Sequence, residues 1–395
     1  MNYPKIYLVL DNCFAIKRWV EPETWGPLIK QLGFDYVEAS FDNEADFFYS
    51  PDWYLDAWFD RVKAVEAAQD IHVANFFTGY QTYRTAGLAH PNEKMARHML
   101  EGWVKPAIER LGARGSGIGF SLHAYPDRVL QDPELYKKET RKVSELLSEI
   151  GGIAKDNGNI PVCVEAMYAP HQTPWTIEGT KNFLRDIYNI GQNPVYTTID
   201  MGHMVGQVRF QKPSRDAVRK SIEAAIEGRV FTEPWLGGDT TYAIWEKAIK
   251  DKDTGDGILD AIEADMARYP HLFSFDQADS DPYAWLEALA CYSPIMHMQQ
   301  TNGVTSSHAA FTEDNNAAGI IDGARLLAAI AKSYEKEDPA MPPKAEAIYL
   351  SFEIFASNAE HPREIKNKLK ETCAYWRTFI PKDGMPLNEL IERLK

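Results

Sequence analysis

Three carboxylates and one imidazole each close a short apolar run of this chain: Glu165 in PVCVEAM, Asp200 in VYTTID, His297 in PIMHMQ and Glu353 in AIYLSFEIF. Oxygen and imidazole donors in that ratio suit Mn2+, Mg2+ or Co2+, with Zn2+ also accommodated. Each residue alone has an ordinary explanation. A buried Glu can pair with an Arg or with backbone N–H groups, an Asp ahead of Gly and His can cap a helix, and a His between two Met can be a satisfied core residue. The set is harder to explain that way. Bringing three carboxylates together out of water costs several kcal/mol per ion unless a cation offsets it. The chemistry expected of the set is therefore metal-assisted.

Residues so far apart meet only if the runs carrying them are neighbouring strands. Eight such runs recur, at 6–10, 36–40, 71–76, 117–123, 161–167, 195–200, 294–299 and 347–355. They are short and rich in β-branched or aromatic residues, as strands buried on both faces should be. Amphipathic stretches lie between them, with oxygen-bearing starts at Asp52, Asp132-Pro133, Thr176 and Asp281-Pro282, and stops at Gly33, Gly112 and Gly191. Eight strands alternating with helices imply an α/β fold, and that number favours a closed (β/α)8 barrel spanning 1–395 as a single domain. An open nucleotide-binding sheet would carry a glycine fingerprint after its first strand, and here Asp11-Asn12-Cys13-Phe14 follows instead. The interval between Asp200 and His297 is far longer than its neighbours. It predicts a helical insertion over about 207–280, with helices near 217–227, 242–249 and 258–268, placed on the catalytic face as a lid or an oligomer contact.

Active-site groups of such a barrel project from the carboxyl ends of its strands. The polar residues at those positions are Asp11, Glu38, Asn75, His123, Glu165, Asp200 with His203, His297 with Gln299, and Glu353. His308 follows in the loop after the seventh run, where Ser306, Ser307 and His308 could also form a phosphate site. The bulk numbers exclude several other functions. Lys and Arg total 42 against 57 Asp and Glu, a net charge of −15, so a basic nucleic-acid-binding face or attraction to an anionic membrane is not expected. Four widely spaced Cys without a CxxC pair read as reduced core residues of a cytoplasmic protein. Neither a signal peptide nor an apolar stretch of membrane-spanning length is read.

With these motifs in place, the chain resembles the metal-dependent xylose isomerase-like superfamily of sugar isomerases and epimerases. The resemblance rests on Glu165 in VCVEAM, Asp200 and His203 in IDMGHM, His297 in IMHMQQ and Glu353 in SFEIF, in that strand order. It implies one divalent metal ion, Mn2+ before Mg2+, Co2+ or Zn2+, held by Glu165, Asp200, His297 and Glu353. It implies a ketose or ketose phosphate as substrate, isomerised or epimerised through an enediolate, with Glu165 and Glu353 as the acid–base pair. His203 would hold a substrate oxygen, with His123, Gln299, His308, Glu38 and Asn75 as further contacts. A homo-oligomer is the expected assembly. Two positions depart from the ketose 3-epimerase branch: His171 stands where that branch has an acid, and Gly303 where it has an Arg.

The alternatives are a metal-dependent lyase or dehydratase acting beside a sugar carbonyl, an endonuclease IV-like enzyme, and a non-catalytic sugar-binding barrel. The second would need more His ligands and a basic face. The third has no use for an intact Glu165/Glu353 pair.

Overall fold

The computed structural model describes residues 3–79, 85–112, 116–122 and 124–394. Eight parallel strands form the barrel: β1 (Lys5–Asp11), β2 (Tyr36–Ser40), β3 (His72–Thr78), β4 (Gly117–Ser121), β5 (Val162–Ala166), β6 (Tyr196–Asp200), β7 (Ile295–Met298) and β8 (Ala347–Phe352). Each pairs with the next, and β8 pairs with β1, which closes the ring. The strands are buried almost throughout, as their apolar composition requires. Short β9 (Met385–Pro386), without a sequence signal, pairs antiparallel with Lys5 and Ile6 at the start of β1.

Helices sheathe the ring. Trp25, Trp58, Trp103, Trp285 and Trp376 are wholly buried where helix meets strand, so much of the aromatic content is core. The starts at Asp132, Thr176 and Asp281 are side-chain caps: Asp132 accepts from the N–H of Glu134 and Leu135, Thr176 from Gly179, and Asp281 from Tyr283. Two expected boundaries shift by one residue. Pro51, extended, occupies the cap before the helix Asp52–Gln69, which leaves Asp52 in the first turn. Gly191 is the last residue of its helix, and Gln192 takes the left-handed conformation that ends it, at φ 53°.

Register brings the strand ends to one level. Asp11 is opposite Glu38, Glu38 opposite Asn75, Ser121 opposite Glu165, Asp200 opposite His297, and His297 opposite Ser351. Beyond β6 the helices Arg215–Ile226, Asp239–Asp251 and Asp256–Met266 pack on one another. They dock beside the loop after β4, where Asp239 N–H donates to Gln131 Oε1 and His271 Nε2–H to the Leu130 carbonyl, both at 2.8 Å. Among the described residues, no helix is long and apolar enough to cross a membrane.

Candidate metal centre

The carboxyl ends of β5, β6, β7 and β8 converge. One donor atom from each of Glu165, Asp200, His297 and Glu353 lies within 4.8 Å of the other three, and all four residues are buried. Ligand atoms around one octahedral divalent cation stand about 3–4 Å apart, so the set matches a single ion. The hydrogen bonding points the same way. Asp200 Oδ2 and Glu353 Oε2 are buried without a hydrogen bond of full geometry among the described residues; only imidazoles approach them, His203 at 3.8 Å and His297 and His308 both at 3.3 Å, an arrangement that a cation would complete. The other oxygens are committed. Asp200 Oδ1 accepts from the N–H of Gly202 and His203 and from Gln299 Nε2, and Glu165 Oε2 accepts from Ser121 Oγ at 2.6 Å. These residues fit a hard divalent cation, which would be held by three carboxylates and one imidazole.

Electrostatics without a cation show how strongly the groups are coupled. Burial disfavours charge on His297, yet Glu38, Glu353 and Glu165 raise its pKa well above the ordinary histidine value. His308 is likewise pushed down by burial but held up at about 9, chiefly by Glu353. Burial would raise Glu353, but His297 and His308 outweigh it and hold the carboxyl well below the usual range. Burial raises Asp200 against the pull of His203 and His308. The imidazolium groups thus supply the positive charge that the carboxylates lack.

A cavity of about 400 Å3 opens onto this cluster. Asp11, Ser121, Glu165, His203, His308 and Glu353 present its polar groups, and Phe77, Met167, Tyr168 and Phe355 its apolar surface. A larger hollow of about 510 Å3 lies outside the barrel beside the helix Ile177–Gly191, but its Arg185 is already paired with Asp338 at 2.9 Å and no His lines it among the described residues. The mouth cavity is the one where chemistry gathers.

The remaining candidates separate by position. His203 and His308 line the cavity. His308 adopts φ +45°, uncommon for a residue with a Cβ, and is held there by its N–H on Gln299 Oε1 (2.6 Å) and by stacking on Phe355 (3.9 Å between ring centres). Gln299 does not line the cavity. It is buried between Asp200 and the returning loop, and a Cβ at position 202 would meet its amide at 2.2 Å, which accounts for Gly202 in IDMGHM. Glu38 and Asn75 are fully buried and, like Asp200 and His297, are not part of the cavity wall. His123 lies outside the described residues, and β4 ends at Ser121 rather than reaching it. Ser307 donates to the Gln300 carbonyl and is exposed, leaving only Ser306 and His308 of that trio in the wall. His171 and Gly303 are exposed and line none of it. Nor does any described residue of 207–280. Ser121 escaped the sequence reading because an isolated Ser carries no signal; its register with Glu165 would have marked it.

No family model matches the chain. A D-erythrulose 1-phosphate 3-epimerase of Brucella abortus (strain 2308) is 26% identical over 189 residues, 43% of this chain and 57% of that protein, so the match spans little more than half of the relative's length. Among solved structures, a Rhodospirillum rubrum protein provisionally named a xylose isomerase superposes with a TM-score of 0.66 at 17% identity, covering 94% of this chain and 99% of that one. A D-psicose 3-epimerase of Clostridium cellulolyticum H10, solved with D-tagatose, gives 0.55 at 12% identity, covering 94% and 98%. The fold is the TIM barrel that these xylose isomerase-like and epimerase structures share.

Proposed function

We propose that the protein is a metal-dependent isomerase or epimerase of a ketose or ketose phosphate. The observation that carries this reading is the convergence of Glu165, Asp200, His297 and Glu353 on one point of a polar cavity whose wall includes Glu165 and Glu353. The ion, Mn2+ in the first instance, would act as a Lewis acid toward adjacent sugar oxygens. Glu165 and Glu353 are the acid–base pair: one takes a proton from the carbon beside the carbonyl, and the other delivers one to the product. Ser121 orients Glu165 through Oε2, and His308, whose Nδ1 lies 3.3 Å from Glu353 Oε2, can supply the proton that Glu353 delivers. His203, anchored by its Nδ1 on the Ala166 carbonyl at 3.2 Å, turns its other nitrogen toward Asp200 and the cavity, where it can bind a substrate hydroxyl. Phe77 and Phe355 give the cavity apolar wall that would help keep water from the reacting carbons. The sequence relative and the psicose epimerase, both 3-epimerases by name, support this class of chemistry.

The test is exchange. The protein is incubated with Mn2+ in D2O with tetruloses, pentuloses, hexuloses and their phosphates, each followed by NMR. The expected outcome is deuterium at a carbon beside the carbonyl together with a new isomer. Release of a second fragment would replace the proposal with the lyase reading. No exchange with any sugar, with metal demonstrably bound, would withdraw it.

A further inference from the structure

Glu38 is a fully buried carboxylate of the barrel mouth that does not line the cavity, and the proton-transfer chemistry gives it no part. It is 0% exposed, on the far side of the His297 ring from the ligand cluster. His297 turns Nδ1 toward Glu165 (3.0 Å) and Glu353 (3.3 Å), and Nε2 toward Glu38 Oε2 (3.2 Å). Nε2 makes no hydrogen bond of full geometry among the described residues, so the nearby Glu38 charge is its compensation. Glu38 is itself fixed from two further strands: Asn75 Nδ2 donates to Oε1 at 2.6 Å, and Ser351 Oγ makes a short hydrogen bond to Oε2. Phe77 meets the His297 ring edge-on, with ring centres 4.6 Å apart, and limits its rotation.

We infer that Glu38, braced by Asn75 and Ser351, is a positioning residue that keeps the His297 proton on Nε2 and so presents the Nδ1 lone pair to the metal. The physical reason is the tautomer. A neutral imidazole carries one N–H; once a cation displaces the proton that Nδ1 shares with Glu165 and Glu353, the Glu38 carboxylate 3.2 Å from Nε2 favours the N–H there and increases the basicity of Nδ1. Without Glu38 the proton is free to sit on Nδ1, where it attracts Glu165 and Glu353 and competes with the cation. The inference rests on the four-residue metal centre proposed above.

Mn2+ binding alone tests it, by calorimetry and by EPR of the free ion. Glu38→Gln is expected to weaken Mn2+ binding by about 10- to 100-fold. Glu38→Asp, which keeps the charge, should restore much of the loss, and Ser351→Ala should give an intermediate weakening. A merely structural Glu38 would instead lower the melting temperature of the metal-free protein and leave affinity alone. Mn2+ affinity of Glu38→Gln within about threefold of the wild type overturns the inference. If that variant does not fold, unchanged affinity in Ser351→Ala overturns it. Failure of the wild type to bind any divalent ion would overturn the metal centre itself, and tight binding without sugar turnover would overturn only the proposed activity.

Discussion

Two duties are proposed for Glu165, and its surroundings separate them by oxygen. Oε1 lies against His297, while Oε2 accepts from Ser121 on the neighbouring strand. Burial would raise its pKa, but His203 and His297 pull it below the ordinary carboxylate value, so it is ionised and ready to accept a proton near neutrality. Glu165→Gln keeps the shape and removes the charge. Turnover of whichever ketose proves to be the substrate should fall by at least about 100-fold, the lower end of general acid–base contributions. The circular dichroism of the variant should match the wild type, since the amide also meets Ser121. Near-normal turnover in a kinetic assay would remove Glu165 from the acid–base pair. Four of the strand-end residues were legible here because ionisable side chains at the ends of apolar runs are costly and therefore informative. Their partners Ser121, Ser351 and Phe77 were not, since Ser and Phe are unremarkable in any strand.

At the scale of elements, the helical excursion after β6 shows where local pattern stops being a guide. Its three helices could be read from their apolar spacing, within a few residues of their observed bounds. Their docking could not, because it depends on single contacts with a loop far away in sequence. His271 is central to it: its ring stacks on Tyr136 at 3.9 Å, and its Nε2–H is given to Leu130. Burial lowers the His271 pKa from 6.5. The unfolded chain therefore binds this proton more readily than the folded one, and the docking should lose stability as the pH falls through about 6.5 and below. His271→Phe retains the stacked ring and has nothing to titrate. Its unfolding free energy, measured in urea between pH 5 and pH 7.5, should depend less on pH than that of the wild type. Equal slopes would mean that His271 does not govern this contact.

For the whole molecule, a net charge of −15 and an acidic mouth draw cations toward the open end of the barrel. A ligand that binds only the folded chain stabilises it by RT ln(1 + [L]/Kd), about 4 kcal/mol at a thousandfold excess over Kd. Mn2+ should accordingly raise the melting temperature by several degrees in differential scanning fluorimetry, and EDTA should reverse the shift. No shift with Mn2+, Mg2+, Co2+ or Zn2+ would argue against a metal centre. The amino-acid order by itself determined the eight strands, the closure of the barrel and the rule that chemistry sits at the strand ends. These follow from local periodicity and from the cost of burying charge, both written residue by residue. Only the tertiary structure decided which atom faces which: that Glu38 stands behind His297 and outside the cavity wall, that the loop after β7 folds back to bring Ser306 and His308 into the wall, and that no residue of 207–280 lines it. Those outcomes depend on strand register around a closed ring and on the paths of loops, where a shift of one residue exchanges every neighbour, and no local pattern in the chain records them.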